Sequence, residues 1–175
     1  MDITDTRSSP PAEAAVTLLY TGHALGLVRL AILLVGDRAS AEDIVQDAFL
    51  GLYRRWNRLP DTSTPLAYLR VSVINGCRTT LRRRTRSRLA PSAALTEAPP
   101  AESAEARALL TEEQRAVAVA LRRLPERQRE ALVLRYYLDL SEAEIAAAMG
   151  ISRGTVKSAT SRALAAVGRI LTEES

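Results

Sequence analysis

Apolar residues along this chain recur in runs that trace one helical face and then stop at a breaker. From about Ala14 to Val35, Leu18, Leu19, Leu25, Leu27, Leu30, Leu33 and Leu34 form a long apolar stretch closed by Gly36. This predicts a helix ended by a glycine. Ser40 then offers an N-cap with Asp43 in the first turn, and Ala41, Ile44, Val45, Ala48, Phe49, Leu52 and Trp56 return at steps of three and four. The other face carries Glu42, Asp43, Gln46, Asp47, Arg54 and Arg55. A break follows at Leu59 to Thr64. Pro65 suits the first position of a third helix, where its missing N–H costs nothing. Along that helix Leu66, Leu69, Val73, Cys77 and Leu81 share a face to roughly Arg84.

The pattern lapses from Leu89 to Ala108, which holds Pro91, Pro99, Pro100 and three glutamates without an apolar stripe, and so reads as a flexible linker. It resumes near Leu109 with a helix through Leu110, Val117, Leu121 and Leu124, stopped by Pro125. A further helix starts there and runs to about Leu138. Ser141-Glu142-Ala143-Glu144 is a capping box opening a short helix, Gly150 permits a left-handed turn, and Ser152 caps a last helix through Val156, Ala159, Ala163, Val167 and Ile170. The expected fold is all-α: two small helical domains at 14–88 and 109–172, a linker at 89–108, and a loose tail at 1–13. Without a partner the halves should be mobile.

The last two helices form a helix-turn-helix pattern, whose second helix in a DNA reader presents its N-terminal residues to base edges. The outward positions are Arg153, Thr155, Lys157, Ser158, Ser161 and Arg162; all can donate a hydrogen bond and none is acidic. The same periodicity also suits a packed helical hairpin.

Composition narrows the field. Hydrophobic residues at 47% and charged residues at 25% match a globular protein, and 4% aromatics favour helices over sheets. One cysteine and one histidine exclude an internal disulfide or a cysteine-rich zinc site; no metal or cofactor is expected. No run approaches ~18 consecutive apolar residues, and the first dozen residues lack a secretory pattern, so a cytoplasmic chain without membrane insertion is expected. The net charge of +4 is unevenly spread: between Leu66 and Thr96 there is no acid but seven arginines, Arg70, Arg78, Arg82, Arg83, Arg84, Arg86 and Arg88. Such a cluster suits nucleic acid or an exposed helix end.

The stretch Leu124 to Leu132, then Leu140-Ser141, Glu144-Ile145-Ala146 and Gly154 to Ser158, resembles region 4 of bacterial sigma factors, and Ala41 to Phe49 resembles region 2. The two motifs in this order are similar to the minimal, extracytoplasmic-function type of the sigma-70 superfamily. The resemblance implies a chain that binds core RNA polymerase, through the clamp helices of its largest subunit and the flap of its second-largest, and that recognises promoter DNA. It assigns Asp43, Gln46 and Asp47 to polymerase. It places Tyr68, Asn75, Arg78, Arg82 and Arg83, with the loop at 58–64, on the separated −10 strand, and Lys157, Ser158, Ser161 and Arg162 on the −35 duplex. Departures from the family are Ala159 where Arg is frequent, Ser161 where an aromatic or His is frequent, and Thr79 where an Asp often follows the asparagine. Many such factors are held by an anti-sigma protein. Other readings are a self-sufficient DNA-binding regulator and an enzyme using Cys77.

Overall fold

The computed structural model describes residues 12–59, 64–89 and 111–173. The tail at 1–11, most of the loop at 58–64 and the linker at 90–108 lie outside the described residues. Within them the chain is helical, without strands: α1 (Ala12–Val35), α2 (Arg38–Arg55), a 3₁₀ turn (Trp56–Arg58), α3 (Pro65–Leu89), α4 (Glu112–Arg122), α5 (Glu126–Tyr136), α6 (Glu142–Met149) and α7 (Arg153–Glu173).

Helices α1 to α3 form one bundle. Leu27, Leu30 and Leu34 of α1, Ile44, Val45 and Leu52 of α2 and Leu69, Val73 and Cys77 of α3 are buried together. Tyr20 packs edge-on against Phe49 with ring centroids 5.0 Å apart. At Gly76 a Cβ would lie 2.7 Å from Ile44 Cγ2, so α3 crosses α2 where only glycine fits. By length and hydropathy α1 could cross a membrane, although no uninterrupted apolar run predicts this. Its C-terminal half instead supplies much of this core.

The cap of α2 differs from the expected one. Asp37, not Ser40, takes the N-cap position and accepts a hydrogen bond from the Ser40 N–H at 2.9 Å. Burial opposes ionisation of this carboxyl, but hydrogen bonds from the Ser40 backbone, Arg84 and the Ser40 hydroxyl outweigh it and hold its pKa below the usual carboxylate value. Arg84 also donates to Val35 O at 2.8 Å and to Ser40 Oγ at 2.8 Å. This member of the arginine run therefore ties the end of α3 to the α1–α2 turn.

Helices α4 to α7 make the second bundle around Leu121, Leu132, Leu134, Ile145, Val156, Ala163 and Val167. Thr111 and Gln114 form a reciprocal capping box on α4. The two bundles touch. Their buried side chains join in one cluster, Tyr137 Oη donates to Gly26 O at 2.9 Å, and Arg122 donates to Gly36 O at 3.2 Å. These contacts between the bundles leave no periodic trace in either half.

Candidate functional site

The turn between α6 and α7 follows the expected chemistry. Ser141 Oγ accepts from the Glu144 N–H at 3.3 Å while Glu144 Oε2 accepts from the Ser141 N–H at 2.8 Å, and hydrogen bonds from the Ser141 side chain and backbone lower the Glu144 pKa. Gly150 closes α6 at φ 64°. Ser152 Oγ accepts from the Thr155 N–H at 3.1 Å and starts α7.

Burying Val156, Ala159, Ala163 and Val167 turns the rest of α7 outward. Arg153, Thr155, Lys157, Ser158, Ser161 and Arg162 are all exposed. The Ser158 hydroxyl donates to Thr155 O at 3.1 Å, and Arg162 folds back on Ser158 O at 3.1 Å. Arg153 and Lys157 form no ion pair within the described residues. Ala159 is buried, so the position where the family often has Arg faces the core here.

On α3, Tyr68, Asn75, Arg78 and Arg82 fall on one stripe at steps of seven, three and four, with Arg83 flanking it. Asn75, Arg82 and Arg83 are exposed. Tyr68 is half-buried, its hydroxyl lying over Gly51 of α2. Thr79 Oγ1 donates to Asn75 O at 2.9 Å and accepts from Arg82 at 3.4 Å. A neutral contact thus stands where an acid would give an ion pair. Arg78 points across to the second bundle and pairs with Glu130 of α5.

On α2, Asp43, Gln46 and Asp47 are exposed on the face opposite Ile44, Val45 and Ala48. Leu50 and Tyr53, 45% and 50% exposed, continue that stripe at steps of three and four. The sequence reading passed over both. An exposed apolar pair in line with the acidic residues was the signal available.

Cys77 is buried, and burial together with the Glu130 carboxylate pushes its thiol up to about 12. A thiol held protonated at neutral pH is not a nucleophile. Among the described residues no cluster of His, Cys, Asp and Glu could hold a metal ion. Between the bundles lies an apolar groove of about 260 Å³, lined by Leu33, Leu121, Tyr136, Tyr137 and Leu164 among others.

An all-helical scaffold with a donor-rich helix-turn-helix in one bundle and an arginine-rich helix in the other suits a DNA-binding protein. Comparison with known proteins narrows that class. The family model "Sigma-70 region 2" matches residues 19–87, and "Sigma-70, region 4" matches residues 109–167. The chain is 39% identical over 142 residues to the RNA polymerase sigma-E factor of Streptomyces coelicolor, covering 79% of this chain and 76% of that one. It is 32% identical over 163 residues to the ECF RNA polymerase sigma factor SigL of Mycobacterium tuberculosis, covering 93% and 92%. The sigma factor RpoE, solved with the anti-sigma factor NepR from Bartonella quintana, matches with a TM-score of 0.69 at 25% identity, over 91% of this chain and 96% of that one. CnrH, solved with the cytosolic domain of CnrY, shares the fold with a TM-score of 0.64 at 24% identity, over 93% and 91%. The chain belongs to the sigma-70 family of RNA polymerase sigma factors, in its extracytoplasmic-function type: a promoter-directing factor that works with core RNA polymerase.

Proposed function

We propose that the two bundles divide promoter recognition between them. The N-terminal part of α7 enters the −35 major groove, where Arg153 and Lys157 bring unpaired cations and Thr155, Ser158, Ser161 and Arg162 bring donors to phosphates and base edges. The α3 stripe takes the separated −10 strand. There Asn75 offers an amide to the edge of an extruded base, Tyr68 provides an aromatic flank, and Arg78, Arg82 and Arg83 follow the backbone. Asp43, Gln46 and Asp47, extended by Leu50 and Tyr53, dock on the clamp helices of the largest polymerase subunit. The apolar groove beside α5 and α7 suits the flap of the second-largest. An anti-sigma protein is a further partner, in line with the complex formed by the RpoE relative. The chain is cytoplasmic and not an enzyme; RNA synthesis belongs to polymerase.

The observation that carries this reading is the exposure of six donor-bearing, non-acidic positions on α7 above a buried small-residue face. Co-purification tests the polymerase half. Tagged wild-type chain should retain core polymerase, and Asp43→Arg with Asp47→Arg should release it; equal retention by both would remove α2 from the interface.

A further inference from the structure

On the α3 stripe Val71 stands between Tyr68 and Asn75, three residues after the one and four before the other. It is 57% exposed, while every other exposed position from Arg70 to Arg88 is polar or charged. Nothing in the folding of α3 asks for it. A side chain left in water gains little from burial, and a β-branched one forms helix less readily than alanine. Its neighbour Asn75 is held in one orientation. Arg78 Nη1 donates to Asn75 Oδ1 at 3.2 Å, which engages the acceptor of the amide and leaves its NH2 group, with two donors, on the other side. That group makes no hydrogen bond within the described residues. Side chains four apart on a helix are neighbours, with Cβ atoms about 5–6 Å apart. Thus α3 sets a hydrogen-bond donor and an aliphatic surface side by side.

We infer that Val71 and Asn75 together read a thymine on the separated strand, Asn75 Nδ2 donating to its O4 and Val71 packing on its C5-methyl. The inference rests on the assignment of α3 to that strand and adds a base identity to it. Thymine is the base of DNA that carries an acceptor, O4, beside a methyl group. Cytosine and adenine place an amino donor where thymine has O4, so their hydrogens would oppose those of Asn75. Guanine offers the acceptor O6 but no methyl. Arg78 becomes a positioning residue in addition to a cation: by holding Oδ1 it keeps the amide donors toward the base. Tyr68 continues the apolar surface on the side of Val71 away from Asn75.

The test uses the chain assembled with core polymerase, measured against core alone. The probes are three short fluorescein-labelled single strands: oligo(dT), the same strand built from deoxyuridine, and oligo(dC). Deoxyuridine differs from thymidine only by the missing methyl. The wild-type assembly should bind oligo(dT) about threefold more tightly than the deoxyuridine strand, the scale of one buried methyl, and about tenfold more tightly than oligo(dC). Val71→Ala alters an exposed position and favours helix. It should erase the difference between thymine and uracil while keeping uracil ahead of cytosine. Asn75→Asp, which removes the donors, should abolish the preference for uracil over cytosine. Arg78→Ala should weaken all three strands and also narrow that preference, which loss of a backbone contact alone would leave intact. Equal wild-type affinity for the thymine and uracil strands, or a difference that survives Val71→Ala, would overturn the inference. Strand binding without any base preference would do the same yet leave α3 on the strand. If the chain adds no strand binding to core alone, the assignment of α3 falls and the inference with it.

Discussion

Asp37 is the residue on which the first bundle turns. It caps α2 and receives Arg84 from the far end of α3, so one carboxylate joins three helices. Because its pKa is lowered in the fold, the stabilisation from ionisation is present above the unfolded value and is lost as pH falls through the folded one. Asp37→Asn keeps a capping oxygen but removes the ion pair with the partly exposed Arg84, and should cost about 1 kcal/mol at neutral pH. The deficit should shrink on acidification below about pH 4, measured by urea unfolding. Gly76→Ala should destabilise by about 1–3 kcal/mol, since its methyl would press on Ile44; unchanged stability would show that α2 and α3 have slack there. Residue-level legibility was uneven. Ser141, Glu144 and Gly150 announce themselves because their interactions are local. Asp37 was passed over for Ser40 because both are good caps three residues apart, and the deciding partner, Arg84, is 47 positions away.

Among the helices, α7 shows how burial creates an exposed donor face. Val156, Ala159, Ala163 and Val167 fix which side points inward, so the exposed donors follow from the apolar period. Lys157→Ala should weaken promoter use by about 1–3 kcal/mol if its ammonium reads a base, and the loss should vanish on templates with a mutated −35 element. A run-off assay on paired templates reads this directly, and an equal loss on both would place Lys157 outside −35 recognition. Helix ends and buried faces were legible from capping residues and spacing, whereas the extension of α3 to Leu89 was not, because its apolar stripe fades after Leu81. Leu50 and Tyr53 were missed because their spacing was counted only for the core.

For the whole molecule, two bundles were legible and their packing was not. The junction includes Arg78 meeting Glu130, Tyr137 meeting Gly26 O and Arg122 meeting Gly36 O, contacts between residues at least 52 positions apart that no periodicity encodes. Under the proposed function, action at this scale is a relay in which α2 seats on polymerase while α3 and α7 take the two promoter elements. Start-site mapping by run-off transcription tests that claim most directly, with purified core polymerase and fragments of the source genome. The expected result is a discrete set of starts sharing two upstream elements, absent with core alone and with the Asp43→Arg, Asp47→Arg chain. Starts that do not depend on the added chain, or none at all, would contradict it.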